Sequence, residues 1–160
     1  MFRRNFLLSC AGVLGTTTLA RAASIELRLL GDVSSSGGVM LTDDDLLGLP
    51  QVSFDTETIW TAGVTTFSGP SVAAVLAFAG AGPGDLRLEA VNGYSVDMTR
   101  SKVGANAPII ANRINGAPFA RRQKGPLWIM FPFSSDEAFR TEITYALSVW
   151  QLNQITVLAA

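Results

Sequence analysis

Pro126-Leu127-Trp128-Ile129-Met130-Phe131 is the stretch that decides the fold. It is six apolar residues long, preceded by the basic loop Arg121-Arg122-Gln123-Lys124-Gly125 and closed by Pro132. A strand with one wet face alternates polar and apolar positions. An unbroken apolar run of this length therefore predicts a central strand covered on both faces. On its C-terminal side, Ser135-Asp136-Glu137 starts a short helix to about Thr141. Within Ile143 to Leu158, the segment Trp150 to Val157 has the period of two expected of a terminal strand.

On the N-terminal side the chain carries two hairpin signals. Pro108 to Ile114 is expected to fold through Asn115-Gly116 onto Ala117 to Ala120, and Leu86 to Ala90 through Asn92-Gly93 onto Tyr94 to Met98. Phe67-Ser68-Gly69-Pro70 is expected to turn into a helix through Val72, Val75, Leu76 and Phe78, stopped by Gly80, Gly82 and Pro83. Gln51 to Trp60 has strand character. Leu41 to Leu47 looks like a short helix capped by Thr42, its aspartates Asp43, Asp44 and Asp45 forming a solvated start. The three aspartates lack the spacing, internal glycine and distal glutamate of a calcium loop. Gly31 to Gly38 is a Ser/Gly-rich loop, and Ser24 to Leu30 is a first strand with Ile25, Leu27 and Leu29 on one face. The sum is one α+β domain over residues 24–160, with a mixed, mainly antiparallel sheet and short helices.

Composition narrows the chemistry. The chain has 160 residues, no histidine and one cysteine, Cys10. A Ser–His–Asp triad, a Cys–His dyad, a His-containing zinc site and a disulfide framework are excluded. Nearly half the residues are apolar (48%) and 16% are charged, which is the balance of a core-forming chain. No pair of carboxylates has a spacing that singles it out for acid–base work, so no catalytic residue is assigned.

Residues 1–23 look like an export signal. Arg3 and Arg4 form a basic start, Phe6 to about Leu14 an apolar stretch, and Ala20-Arg21-Ala22 a small-residue exit. Arg3-Arg4-Asn5-Phe6-Leu7 resembles the twin-arginine signal. Cleavage after Ala22 or Ala23 would remove Cys10 and three arginines, leaving a net charge of −4 and a periplasmic or secreted domain. A mildly acidic domain is a poor partner for nucleic acid.

The order of these segments resembles the molybdopterin-binding domain of the sulfite oxidase family. The matching pieces are Phe67-Ser68-Gly69-Pro70 leading to Val72, Val75 and Leu76, the Asn92-Gly93-Tyr94 hairpin, Gly125-Pro126-Leu127 to Pro132, and Trp150 to Val157. The resemblance covers nearly all of residues 24–160 and implies that family's fold, with a molybdopterin cofactor as the group it would bring. Catalytic members hold molybdenum with a cysteine thiolate on the strand before the aromatic-glycine turn. The corresponding stretch here, Asp55 to Thr61, has none. A hard carboxylate such as Glu57 does not substitute for a soft thiolate, so no protein metal ligand is identified.

Recognition then falls to cations, aromatics and amides. Arg113, Arg121, Arg122 and Lys124 are the densest basic set, suited to an anionic small molecule or a pterin phosphate, with Tyr94 or Trp60 offering a flat ring. The opposing reading is a solvated basic loop. Trp128 reads as core, whereas Trp150 and Tyr145 fit either core or a pocket wall. Two functions follow. One is an exported, degenerate or non-redox ligand-binding or interaction module. The other is an oxidoreductase component that binds molybdopterin without a cysteine ligand. A periplasmic or membrane protein partner is compatible with either.

Overall fold

In the computed structural model, residues 24–160 are described. The expected export signal and Cys10 lie outside the described residues. The chain runs β1 (Ile25–Gly31), β2 (Val39–Thr42), α1 (Asp43–Leu47), β3 (Gln51–Glu57), β4 (Val64–Pro70), α2 (Val72–Phe78), β5 (Leu86–Ala90) and β6 (Ser95–Met98). It continues through β7 (Ile109–Ala111), β8 (Arg113–Ile114), β9 (Trp128–Met130), α3 (Glu142–Leu147) and β10 (Leu152–Val157). The architecture is α+β, as expected.

The alternation in β1 buries Leu27 and Leu29 and leaves Arg28 exposed. The first and last strands are neighbours: β1 pairs in parallel with β10, from Arg28 opposite Gln154 to Gly31 opposite Val157. They sit inside a five-stranded sheet of order β2-β1-β10-β5-β6, whose other pairings are antiparallel. A three-stranded sheet β3-β4-β8 and a two-stranded ladder β7-β9 complete the framework. Helix α2 buries Val72, Val75 and Leu76, each contributing roughly 1.5–3 kcal/mol of burial. Its first turn is capped by the Ser71 hydroxyl, which accepts from Ala74 N–H at 3.1 Å.

The apolar run around Trp128 behaves as its sequence dictates. Trp128, Ile129 and Met130 are all buried, between β7 on one side and the Val149–Trp150 segment on the other. Several boundaries differ from expectation. Phe67 to Pro70 is not a turn but the end of β4, paired residue for residue with β3. There Gly69 lets two backbones approach: a Cβ at this position would lie 2.0 Å from the Ile110 carbonyl oxygen. Strand β3 ends at Glu57 because the Thr58 hydroxyl accepts from Trp60 and Thr61 N–H groups and closes a turn.

The second hairpin is reduced to a turn. Asn115 and Gly116 both adopt positive φ, yet only Ile114 and Ala117 then pair. Asn115 instead exchanges hydrogen bonds with Thr66 of β4, and the expected strand splits at Asn112 into β7 and β8, which pair with β9 and β4. The helix expected from Ser135 is a single 3-10 turn, Glu137–Phe139. The regular helix is the unexpected α3, capped by Thr141, whose hydroxyl accepts from Thr144 N–H at 3.2 Å. The terminal strand starts two residues later than expected, at Leu152.

Candidate functional site

The Thr58–Thr61 turn and helix α3 place an aromatic group at one end of the core. Trp60 touches Trp128 (centroids 5.7 Å apart), Trp150 (6.0 Å), Tyr145 (5.7 Å) and Phe133 (6.1 Å), the last three edge to face. Edge-to-face contact matches the positive ring edge to the negative ring face, so these rings hold one another in fixed orientations. Trp128 is the buried base, its Nε1–H donating to the Ser148 carbonyl at 3.1 Å. Trp60, Tyr145 and Trp150 are half-buried.

Beside this aromatic group is a cavity of about 230 Å³, lined by Trp60, Tyr94, Tyr145 and Trp150 together with Asn92 and Ala146 of α3. Tyr94 OH donates to the Ala146 carbonyl at 3.0 Å and ties the β5–β6 hairpin to α3 across the opening. The Asn92 carboxamide oxygen accepts from Tyr94 N–H at 3.1 Å, which leaves its NH₂ group as a donor. No charged side chain lines the cavity. Such walls suit a flat ring, stacked or met edge-on, with orientation set by a few amide and hydroxyl groups.

The wall formed by Trp150 is braced from behind. Lys124 Nζ lies 4.3 Å from the Trp150 ring centre and 6.0 Å from that of Trp128. Lys124 and Gln151 both hold left-handed backbone, with φ of 73° and 53°, and are joined by Gln151 N–H donating to the Lys124 carbonyl at 3.0 Å. Neither is glycine, and in both the side chain is used: Lys124 covers the tryptophans, and Gln151 Nε2 donates to the Arg121 carbonyl at 2.9 Å.

Of the residues picked out by sequence, Trp60 and Tyr94 therefore share one cavity, and Lys124 packs on its wall. The arginines lie elsewhere. Arg113 lines a separate cavity of about 410 Å³ and makes a two-point ion pair with Asp43, with bonds of 2.9 and 2.7 Å. The guanidinium beside it holds the Asp43 carboxyl below the usual carboxylate range, the hydrogen bond to Arg113 outweighing burial. Arg121 faces a hollow of about 190 Å³ that it shares with Arg28, Glu26 and Asn153. Arg122 is exposed and lines none of these spaces. The four cations do not form one patch.

The stretch Asp55 to Thr61 ends beside a fourth hollow of about 300 Å³, lined by Glu57, Thr58, Ile59, Phe133, Ser134, Arg140 and Tyr145. Its donors are hydroxyls, one carboxylate and one guanidinium, with no thiolate or imidazole. No group of three His, Cys, Asp or Glu is arranged to hold a metal among the described residues. This donor set does not fit a molybdenum centre ligated by the protein, so no chemical step is assigned through that metal.

Sequence reasoning left Tyr145 and Trp150 undecided between core and wall, and they are both: each packs on buried rings and faces the cavity. It missed Asn92 as a lining group and the structural use of the aspartates. Asp43 binds Arg113 and Asn112, while Asp44 and Asp45 are exposed and fit the solvated start, Asp45 also completing a capping box with Thr42. No local signal links Asp43 to a partner seventy positions away.

No family model and no curated protein sequence matches this chain. Among solved structures it is similar to the sulfane dehydrogenase SoxCD from Paracoccus pantotrophus, at 18% identity and a TM-score of 0.62. The match covers 82% of this chain and 37% of that one, so the chain spans little more than a third of its neighbour's length. At this identity the likeness establishes the fold alone: a distant, sulfite-oxidase-like, molybdopterin-enzyme-like fold.

Proposed function

We propose that this chain is an exported, non-redox ligand-binding module on a molybdopterin-enzyme-like fold, and that its aromatic cavity takes a planar, neutral or anionic ring. The observation that carries this reading is the cavity of Trp60, Tyr94, Tyr145 and Trp150: four rings, no charge and about 230 Å³ of space. The Lys124 ammonium behind Trp150 disfavours a cationic guest, because the ring face that would attract it already serves another cation. The missing thiolate along Asp55 to Thr61 supports a non-redox role. The basic start and small-residue exit of residues 1–23 support export.

The test uses pterin as the probe ring and the full chain. Titration is expected to quench tryptophan fluorescence saturably, with Trp60→Ala weakening binding about tenfold or more, the equivalent of about 1.4 kcal/mol. A linear, unsaturated quench in the parent chain, or affinity unchanged by Trp60→Ala, would sink the reading.

A further inference from the structure

The cavity of about 410 Å³ around Arg113 lies apart from the aromatic one and shares no lining residue with it. It is lined by Ser24, Glu26, Thr42, Asp43, Asp44, Asn112, Arg113, Pro118, Phe119 and Pro126, so its polar wall comes from β1, α1 and the β7–β8 junction, and three ring side chains form an apolar one. Arg113 is cancelled within the wall by its two-point pair with Asp43, leaving Glu26 and Asp44 as net negative charge. Neither forms an ion pair with a cation among the described residues, although Glu26 also borders the hollow that holds Arg28 and Arg121. Asp44 takes no part in the capping box, which belongs to Thr42 and Asp45. At the same wall, Asn112 is 1% exposed. Its Nδ2 donates to Asp43 at 3.0 Å, while its Oδ1 is buried and accepts no hydrogen bond from any described residue. A buried acceptor without a donor is unfavourable, and a ligand N–H would relieve it.

We infer that this cavity binds the ammonium group of a small aliphatic amine, through the Glu26 and Asp44 carboxylates, with Asn112 as a neutral acceptor and Pro118, Phe119 and Pro126 against its carbon chain. The volume falls within the range of small-molecule sites. The excess of carboxylate over guanidinium selects a cation. Phe119 and the prolines select an organic one over a hydrated metal ion, which would find no grouped set of three protein ligands here. This site also reverses the role expected of Arg113: it is a structural clamp on Asp43 and offers no free fork to an anion.

The ammonium has two sources with the same chemistry: a free amine, or the amino terminus that cleavage after Ala23 would place at Ser24, itself on the cavity wall. The probe is 1,4-diaminobutane, titrated into the full chain while the Asn112 side-chain amide and the Asp44 backbone are followed by NMR. Saturable shifts at both, weakened about tenfold or more by Asp44→Asn and by Glu26→Gln, support the site; both variants keep size and leave the helix cap intact. A parallel titration of residues 24–160, which contain all the described strands and the whole described core, separates the sources. Binding lost there assigns the cavity to the chain's own terminus, and binding retained assigns it to a free amine. Absence of saturable binding to the full chain, or binding that neither substitution weakens, overturns the proposal.

Discussion

Lys124 Nζ stands 4.3 Å from the centre of the Trp150 ring, close enough to brace that wall of the aromatic cavity by cation–π attraction. The contact requires Lys124 to hold φ of 73°, a conformation in which a side chain costs about 1 kcal/mol relative to glycine. Two substitutions separate these opposing effects. Lys124→Ala removes the ammonium and keeps the strain, and is expected to cost about 1 kcal/mol in urea unfolding. Lys124→Gly removes both and is expected to lie near the parent. Equal losses in the two variants would show that the backbone at this position is not strained.

The tryptophans should separate by depth. Trp128 is buried at 1% exposure and fully packed, so Trp128→Ala is expected to cost about 3–5 kcal/mol and to threaten folding. Trp60 is half-buried, so Trp60→Ala is expected to cost less while weakening ring binding about tenfold or more. Chemical denaturation alongside fluorescence titration reads both effects. Trp60→Ala destabilising as much as Trp128→Ala would make Trp60 a core residue rather than a cavity wall.

The Asp43–Arg113 pair gives stability a defined pH dependence. Asp43 titrates below its ordinary value of about 3.8 because Arg113, and to a lesser degree Asn112, bind its charged form. A carboxylate with a depressed folded-state pKa contributes stability that is present above the unfolded value and is lost as pH falls through the folded one. Between pH 7 and about 2.5, the stability of Asp43→Asn should therefore fall less steeply than that of the parent, the two curves converging in acid. Asp45 and Asp97, also held below the usual range by Thr42 and by Arg87, keep the variant's curve from being flat. Parallel curves across the whole range would show that the pair contributes nothing.

Gly69 is a test of packing alone. A Cβ there would meet the Ile110 carbonyl oxygen at 2.0 Å, so β4 and β7 must separate to admit it. Gly69→Ala is expected to cost roughly 2 kcal/mol or more, against a gain of under about 1 kcal/mol from the unfolded state. Thermal unfolding is the readout, and an unchanged Tm would mean that the two backbones do not approach as described.

What the sequence made legible was what local chemistry controls. The apolar run at Trp128 forced a strand buried on both faces, Thr42 capped α1, and Asn92-Gly93 turned β5 into β6, with Gly93 in left-handed backbone at φ of 85°. What stayed hidden depends on partners far along the chain. Asn115-Gly116 made its turn, but Thr66 competed for Asn115 and prevented a second hairpin. Helix α3 was masked because Ile143, Thr144 and Tyr145 have strand-type propensity and the cap at Thr141 decides the matter. The site divided in the same way. Trp60 and Tyr94 were visible as rings without protein company in sequence, whereas Arg113 looked like a free anion receptor only because Asp43 lies seventy positions away.

The central claim is that this molybdopterin-enzyme-like fold works as a ligand-binding module without holding molybdenum through the protein. Metal and pterin analysis of the full chain, purified from its native export route in a molybdenum-replete host, tests it most directly. The expected result is a folded protein with no stoichiometric molybdenum or tungsten. About one metal ion per chain, accompanied by pterin fluorescence on release, would contradict the claim and make the chain an oxidoreductase component that binds its cofactor without a thiolate.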